Sequence, residues 1–66
     1  MLEKLIKEYG ITRMAYELDL CELSVRKKMT GKAKISAPEM LAIQRLLSLS
    51  DDQIAAIKEE LANAQS

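Results

Sequence analysis

The chain contains no histidine, tryptophan or phenylalanine, and only one cysteine and one proline. Each shortage excludes something. Without histidine, and with Cys21 as the sole thiol, no zinc-type ligand set and no internal disulfide can form. A single unpaired cysteine fits a reducing setting. No serine sits beside a base in a supporting motif, no glycine-rich loop is present to cradle phosphate, and the carboxylates are scattered. The expectation is therefore no catalytic residue, no metal and no cofactor. Aromatic residues are limited to Tyr9 and Tyr16, both read as packing residues, so Leu, Ile, Met and Ala must fill the core. No apolar run approaches the roughly 18 residues of a membrane span. The N-terminus lacks a basic-then-apolar leader. Met1 reads as the start of a whole cytoplasmic protein.

With 66 residues, one domain is the expectation. A domain of this size buries only about 60% of its unfolded surface. Metal and disulfide being excluded, its stability must come from tidy helix packing or from a second subunit.

Net charge is zero, but it is unevenly spread. Residues 1–21 sum to −1 and residues 37–66 to −3. Residues 22–36 sum to +4, with Arg26, Lys27, Lys28, Lys32 and Lys34 set against Glu22 alone. A local cationic patch of this kind is what contact with phosphate requires.

Hydrophobic periodicity predicts five helices and no strand. Leu2, Leu5, Ile6 and Tyr9 form one stripe over Leu2–Tyr9, closed by Gly10. A second helix opens on Thr12 as N-cap, buries Met14, Ala15 and Leu18, and ends at Asp19. A third runs from Cys21 or Glu22 to about Thr30, with Val25 and Met29 inward and Gly31 as its stop. Cys21 itself reads as a small, half-buried filler. Ser36-Ala37-Pro38-Glu39 is a capping box with proline in the first turn, and Ile35 and Met40 form its hydrophobic staple. The helix it opens runs to about Leu47 and buries Met40, Ile43, Leu46 and Leu47. Ser50-Asp51-Asp52-Gln53 repeats the device, with Leu49 and Ile54 as staple. The last helix carries a stripe of Ile54, Ile57 and Leu61 and frays after about Ala62. Residues 1–62 are thus read as one domain and 63–66 as a short flexible tail.

The stretch Ile11–Gly31 reads as helix, tight turn, helix. Ala15 is small where the two helices must cross, Leu20 plugs the turn, and Val25 returns to the core. The outer face of the second of these helices is left rich in Arg and Lys, and a helix of that kind fits the DNA major groove. Here the chain resembles the Cro/phage-repressor helix-turn-helix family. The resemblance spans about residues 2–60. It is carried by Ile11-Thr12, Ala15, Leu18, Leu20, Val25, Met29 and Gly31, by Ser36-x-x-Glu39, and by the Leu46-Leu47-x-Leu49-Ser50 break. The chain departs from the family in having Asp19 where the turn usually holds Gly, and Cys21 where the cap is usually Ser, Thr or Gly. Glu22 and Leu23 stand at reading positions often held by Gln or Ser.

The resemblance implies an all-α, five-helix lambda repressor-like bundle with the helix-turn-helix at 12–30. It also implies a sequence-specific transcriptional regulator, in a bacterial or phage-infected cell, that inserts helix 22–30 into the major groove as a homodimer. Glu22, Leu23, Arg26 and Lys27 are then the candidates to face bases: Arg26 on guanine, Glu22 on cytosine N4, Leu23 on a thymine methyl. Thr12, Arg13, Lys28, Thr30, Lys32 and Lys34 are the candidate phosphate contacts. Ile54, Ile57 and Leu61 are either core or a two-fold interface. Glu22 has a plainer reading as a first-turn carboxylate facing the helix dipole, and Arg26, Lys27 and Lys28 as a solvated face. No small-molecule pocket fits in this length. The alternative to DNA is a protein-binding module, such as an antirepressor that pairs with another helix-turn-helix regulator; neutral net charge and the Glu22-Leu23 pair favour it.

Overall fold

The computed structural model describes residues 1–65, with side chains for 1–63. Among the described residues the chain is all-helical: α1 (Leu2–Tyr9), α2 (Ile11–Leu18), α3 (Glu22–Met29), α4 (Ala37–Leu47) and α5 (Asp51–Gln65), with no strand. The first four agree with the sequence reading to within about one or two residues. α5 is longer than expected and continues past Ala62 to Gln65; of the expected tail, Ser66 lies outside the described residues.

Gly10 does two jobs. Its N–H donates to the Ile6 carbonyl (2.8 Å) and its carbonyl accepts from Met14 N–H (2.9 Å), so one residue ends α1 and starts α2. Its φ of 113° is a conformation that side-chain-bearing residues rarely adopt. Thr12 is consequently not the N-cap of α2. It lies inside the first turn, with its hydroxyl free for another partner. α2 ends as expected: Asp19 takes the left-handed conformation (φ 56°, ψ 45°), and Leu20 N–H donates back to the Ala15 carbonyl at 2.9 Å.

Both capping boxes form. Ser36 N–H donates to Glu39 Oε1 (2.9 Å) while Glu39 N–H donates to Ser36 Oγ (3.3 Å). Ser50 and Gln53 repeat the exchange at 2.8 and 3.2 Å. Between these two helices Ser48 is also left-handed, and Gln44 Nε2 donates to the Leu49 carbonyl and to Asp51 Oδ1, pinning the α4–α5 corner.

The core gathers one stripe from each helix: Leu2 and Ile6, Met14 and Ala15, Val25 and Met29, Met40 and Ile43, then Leu49 with Ile54 and Ile57. Leu46 and Leu47 are only partly buried against it. Ile54, Ile57 and Leu61, read as either core or a two-fold interface, pack against the core of their own chain. Ile57 is fully buried and Ile54 nearly so within their own chain. Leu61 is partly buried against the same core.

Candidate nucleic-acid interface

The sequence of α3 sorts its side chains by direction. Successive residues on an α-helix turn by about 100°. With Val25 and Met29 pointing into the core, Leu23, Lys27 and Thr30 fall on the opposite side. Arg26 lies at the edge of that face, and Glu22 and Lys28 fall on opposite flanks. The structure bears this arithmetic out. Leu23, Arg26, Lys27 and Thr30 are exposed, and with Lys32 they line one shallow groove of about 190 Å³. Among the described residues no ion pair ties up Arg26, Lys27, Lys32 or Lys34. The α3 face is therefore cationic, open, and interrupted by one apolar side chain: Leu23, 61% exposed.

The two flanking residues are engaged. Glu22 Oε1 accepts a hydrogen bond from Thr12 Oγ1 at 3.1 Å. That bond joins the N-terminal turns of α2 and α3 and engages one oxygen of the carboxylate read as a candidate for cytosine. On the other flank, Lys28 Nζ donates to both oxygens of Glu39 (2.7 and 2.8 Å) and to the Lys34 carbonyl (3.3 Å). The Lys28 and Glu39 side chains are 18% and 21% exposed. Lys28 thus ties α3 to the start of α4 and is not a free phosphate contact. The Glu39 carboxyl is held below its ordinary pKa, first by the Lys28 hydrogen bond and then by the Ser36 N–H.

The remaining candidates divide by setting. Thr30 Oγ1 donates to the Arg26 carbonyl (2.8 Å) and approaches that of Lys27 (3.3 Å), closing the C-terminus of α3. Its hydroxyl is exposed, but its proton is already spent. Lys32 and Lys34 are exposed on the loop after α3. Arg13 is exposed, and its guanidinium lies 4.6 Å from the centre of the Tyr9 ring, a cation–π contact that holds it at the α1–α2 junction.

Two residues sit where the sequence reading did not put them. Cys21 is exposed, its Sγ 3.2 Å from Ser24 Oγ. This partner, three residues on, draws its thiol below the ordinary pKa. Tyr16 is 83% exposed. The signal for Tyr16 was in the helical period: with Met14, Ala15 and Leu18 inward, position 16 points away from the core.

Compared with protein-family models, with curated proteins and with solved structures, the chain shows no match.

Proposed function

We propose that this chain is a sequence-specific DNA-binding transcriptional regulator of the Cro/repressor type, built as a lambda repressor-like bundle, that presents α3 to the major groove. One observation carries the reading: α3 keeps Arg26 and Lys27 exposed on its outer face, with no ion partner among the described residues, in one groove with Lys32, while Lys34 is exposed further along the same loop. Cations on an exposed short helix supply both terms of duplex recognition. Lysines neutralise phosphate and set register, while a planar guanidinium can read guanine O6 and N7 as a pair. The Thr12–Glu22 bond and the Lys28–Glu39 pair hold α3 at both ends, so its reading face is stiff before DNA arrives.

Arg26 and Lys27 are the base-facing cations on this reading, and Lys32 and Lys34 the phosphate contacts. Two copies would place their α3 helices about 34 Å apart, one helical turn of duplex. Because α5 buries its apolar stripe, the homodimer would meet through another surface or form on DNA. The test is selection of bound duplexes from a random pool. Enrichment of a short motif, lost with Arg26→Ala, is the expected result. Equal, weak retention of all sequences overturns it.

A second reading, a protein-binding module, is favoured by the exposure of Tyr16, a side chain of the kind that anchors protein interfaces, together with that of the apolar Leu23. Leu23→Asp abolishing capture of a protein partner, with no duplex enriched, would be its result.

A further inference from the structure

We infer that Tyr16 is an uncharged contact to the DNA backbone, its phenolic hydroxyl donating to a phosphate oxygen beside the α3 reading face. This rests on the DNA-binding reading above. Three observations lead to it. The tyrosine is 83% exposed at the outer side of α2, where core packing cannot account for a large aromatic side chain. It follows Thr12 by four residues, so the two share one stripe of the helix. Thr12 in turn is hydrogen-bonded to Glu22 in the first turn of α3, and that bond orients the Thr12–Tyr16 stripe to the α3 side of α2.

The chemistry suits the position. A phenol carries a hydroxyl donor on a rigid arm with only two side-chain torsions, so ordering it costs little. It is neutral, and a neutral donor can hold phosphate without adding to the cation count. The other tyrosine differs in setting: Tyr9 is partly buried against the core and carries the Arg13 guanidinium over its ring.

Counterion release separates this contact from a lysine contact. Each lost cation–phosphate contact lowers the slope of log affinity against log salt by roughly one, whereas loss of a neutral hydrogen bond shifts the line without tilting it. The experiment measures binding of wild type, Tyr16→Phe and Lys34→Ala to a duplex over a range of salt, with helicity checked by circular dichroism. Tyr16→Phe removes one oxygen from an exposed site, so folding is unaffected. The expected result is affinity about three- to tenfold lower at every salt concentration with an unchanged slope, the size of one hydrogen bond. Binding by Tyr16→Phe equal to wild type overturns the inference and leaves DNA binding standing. So does a loss seen with Tyr16→Ala and not with Tyr16→Phe, which would assign the contact to the ring. A changed slope overturns the neutral role. No duplex binding by wild type at any salt removes the functional reading and this inference together.

Discussion

The Lys28 ammonium grips both carboxylate oxygens of Glu39, at 2.7 and 2.8 Å, and this one pair joins α3 to the capping box that starts α4. A lysine that belongs to the patch by sequence is therefore structural by position. Removing it leaves a largely enclosed carboxylate with the Ser36 N–H as remaining partner. That cost lies between the small value of surface pairs and the several kcal/mol of fully buried ones, so Lys28→Met should destabilise by about 1–3 kcal/mol. For a domain this small each kcal/mol lowers Tm by roughly 4–8 °C. If the chain binds DNA as proposed, the salt slope of that binding should hardly change. Lys34→Ala should do the reverse, leaving Tm within a degree or two and lowering the slope by about one. Thermal melts and salt titrations of the two variants decide the matter; a slope change with Lys28→Met would return that ammonium to the DNA contacts.

The same pair sets an acid limit on stability. Glu39 is held below its ordinary pKa by Lys28 and by the Ser36 N–H. A carboxyl whose folded pKa is depressed contributes stability that is complete above its unfolded value, about 4.3, and is lost as pH falls through the folded value. Unfolding free energy should therefore decline as pH drops below about 4.3. Glu3, drawn down by its hydrogen bond to Lys7, acts in the same direction. Glu39→Gln isolates the Glu39 contribution, since it keeps an acceptor for Ser36 and cannot titrate. Urea unfolding at a series of pH values should give a flatter acid limb for this variant. Superimposable limbs would remove Glu39 as the cause.

What the sequence made legible was local. Ser36 and Glu39, or Ser50 and Gln53, lie three residues apart, so the bond is fixed once the helix forms. Helical periodicity likewise located the stripes that became the core. The candidate face was legible in part, because Arg26 and Lys27 need only point away from Val25. The partners of Thr12, ten residues from Glu22, and of Lys28, eleven from Glu39, were not. They depend on how two helices are rotated about their own axes against each other, which depends on the packing of the whole core. The α5 stripe was ambiguous for a related reason: an apolar face looks the same in sequence whether its own core or a second subunit covers it.

Asp19 offers a test of the turn itself. Its left-handed backbone (φ 56°, ψ 45°) costs an L-residue with a side chain free energy that glycine does not incur. Asp19→Gly should raise stability by about 0.5–1 kcal/mol, the relief exceeding the extra freedom of the unfolded chain. Asp19→Val should lower it by a similar amount or more, because a β-branched side chain fits this conformation worst. Calorimetric melting of both variants checks the order. A glycine variant less stable than wild type would mean that the Asp19 side chain holds the turn by more than its tolerance of positive φ.

Leu23 carries the sharpest test of the proposal that the α3 face reads DNA. It stands 61% exposed in a groove it shares with Arg26 and Lys27, an apolar side chain among cations. In the major groove the one apolar feature available to it is the C5 methyl of thymine. Replacing thymine by deoxyuridine in a selected duplex removes that methyl and nothing else. Burial of one such group is worth about 0.8 kcal/mol, or about fourfold in affinity. Wild type should lose about that factor at one position of each half-site and at no other. Leu23→Ala should bind the thymine duplex as weakly as wild type binds the deoxyuridine one, and should not distinguish the two. If wild type binds both duplexes equally while Leu23→Ala is impaired in holding a protein, the leucine belongs to a protein interface. The cationic face would then serve to orient that partner, with the base edges left unread.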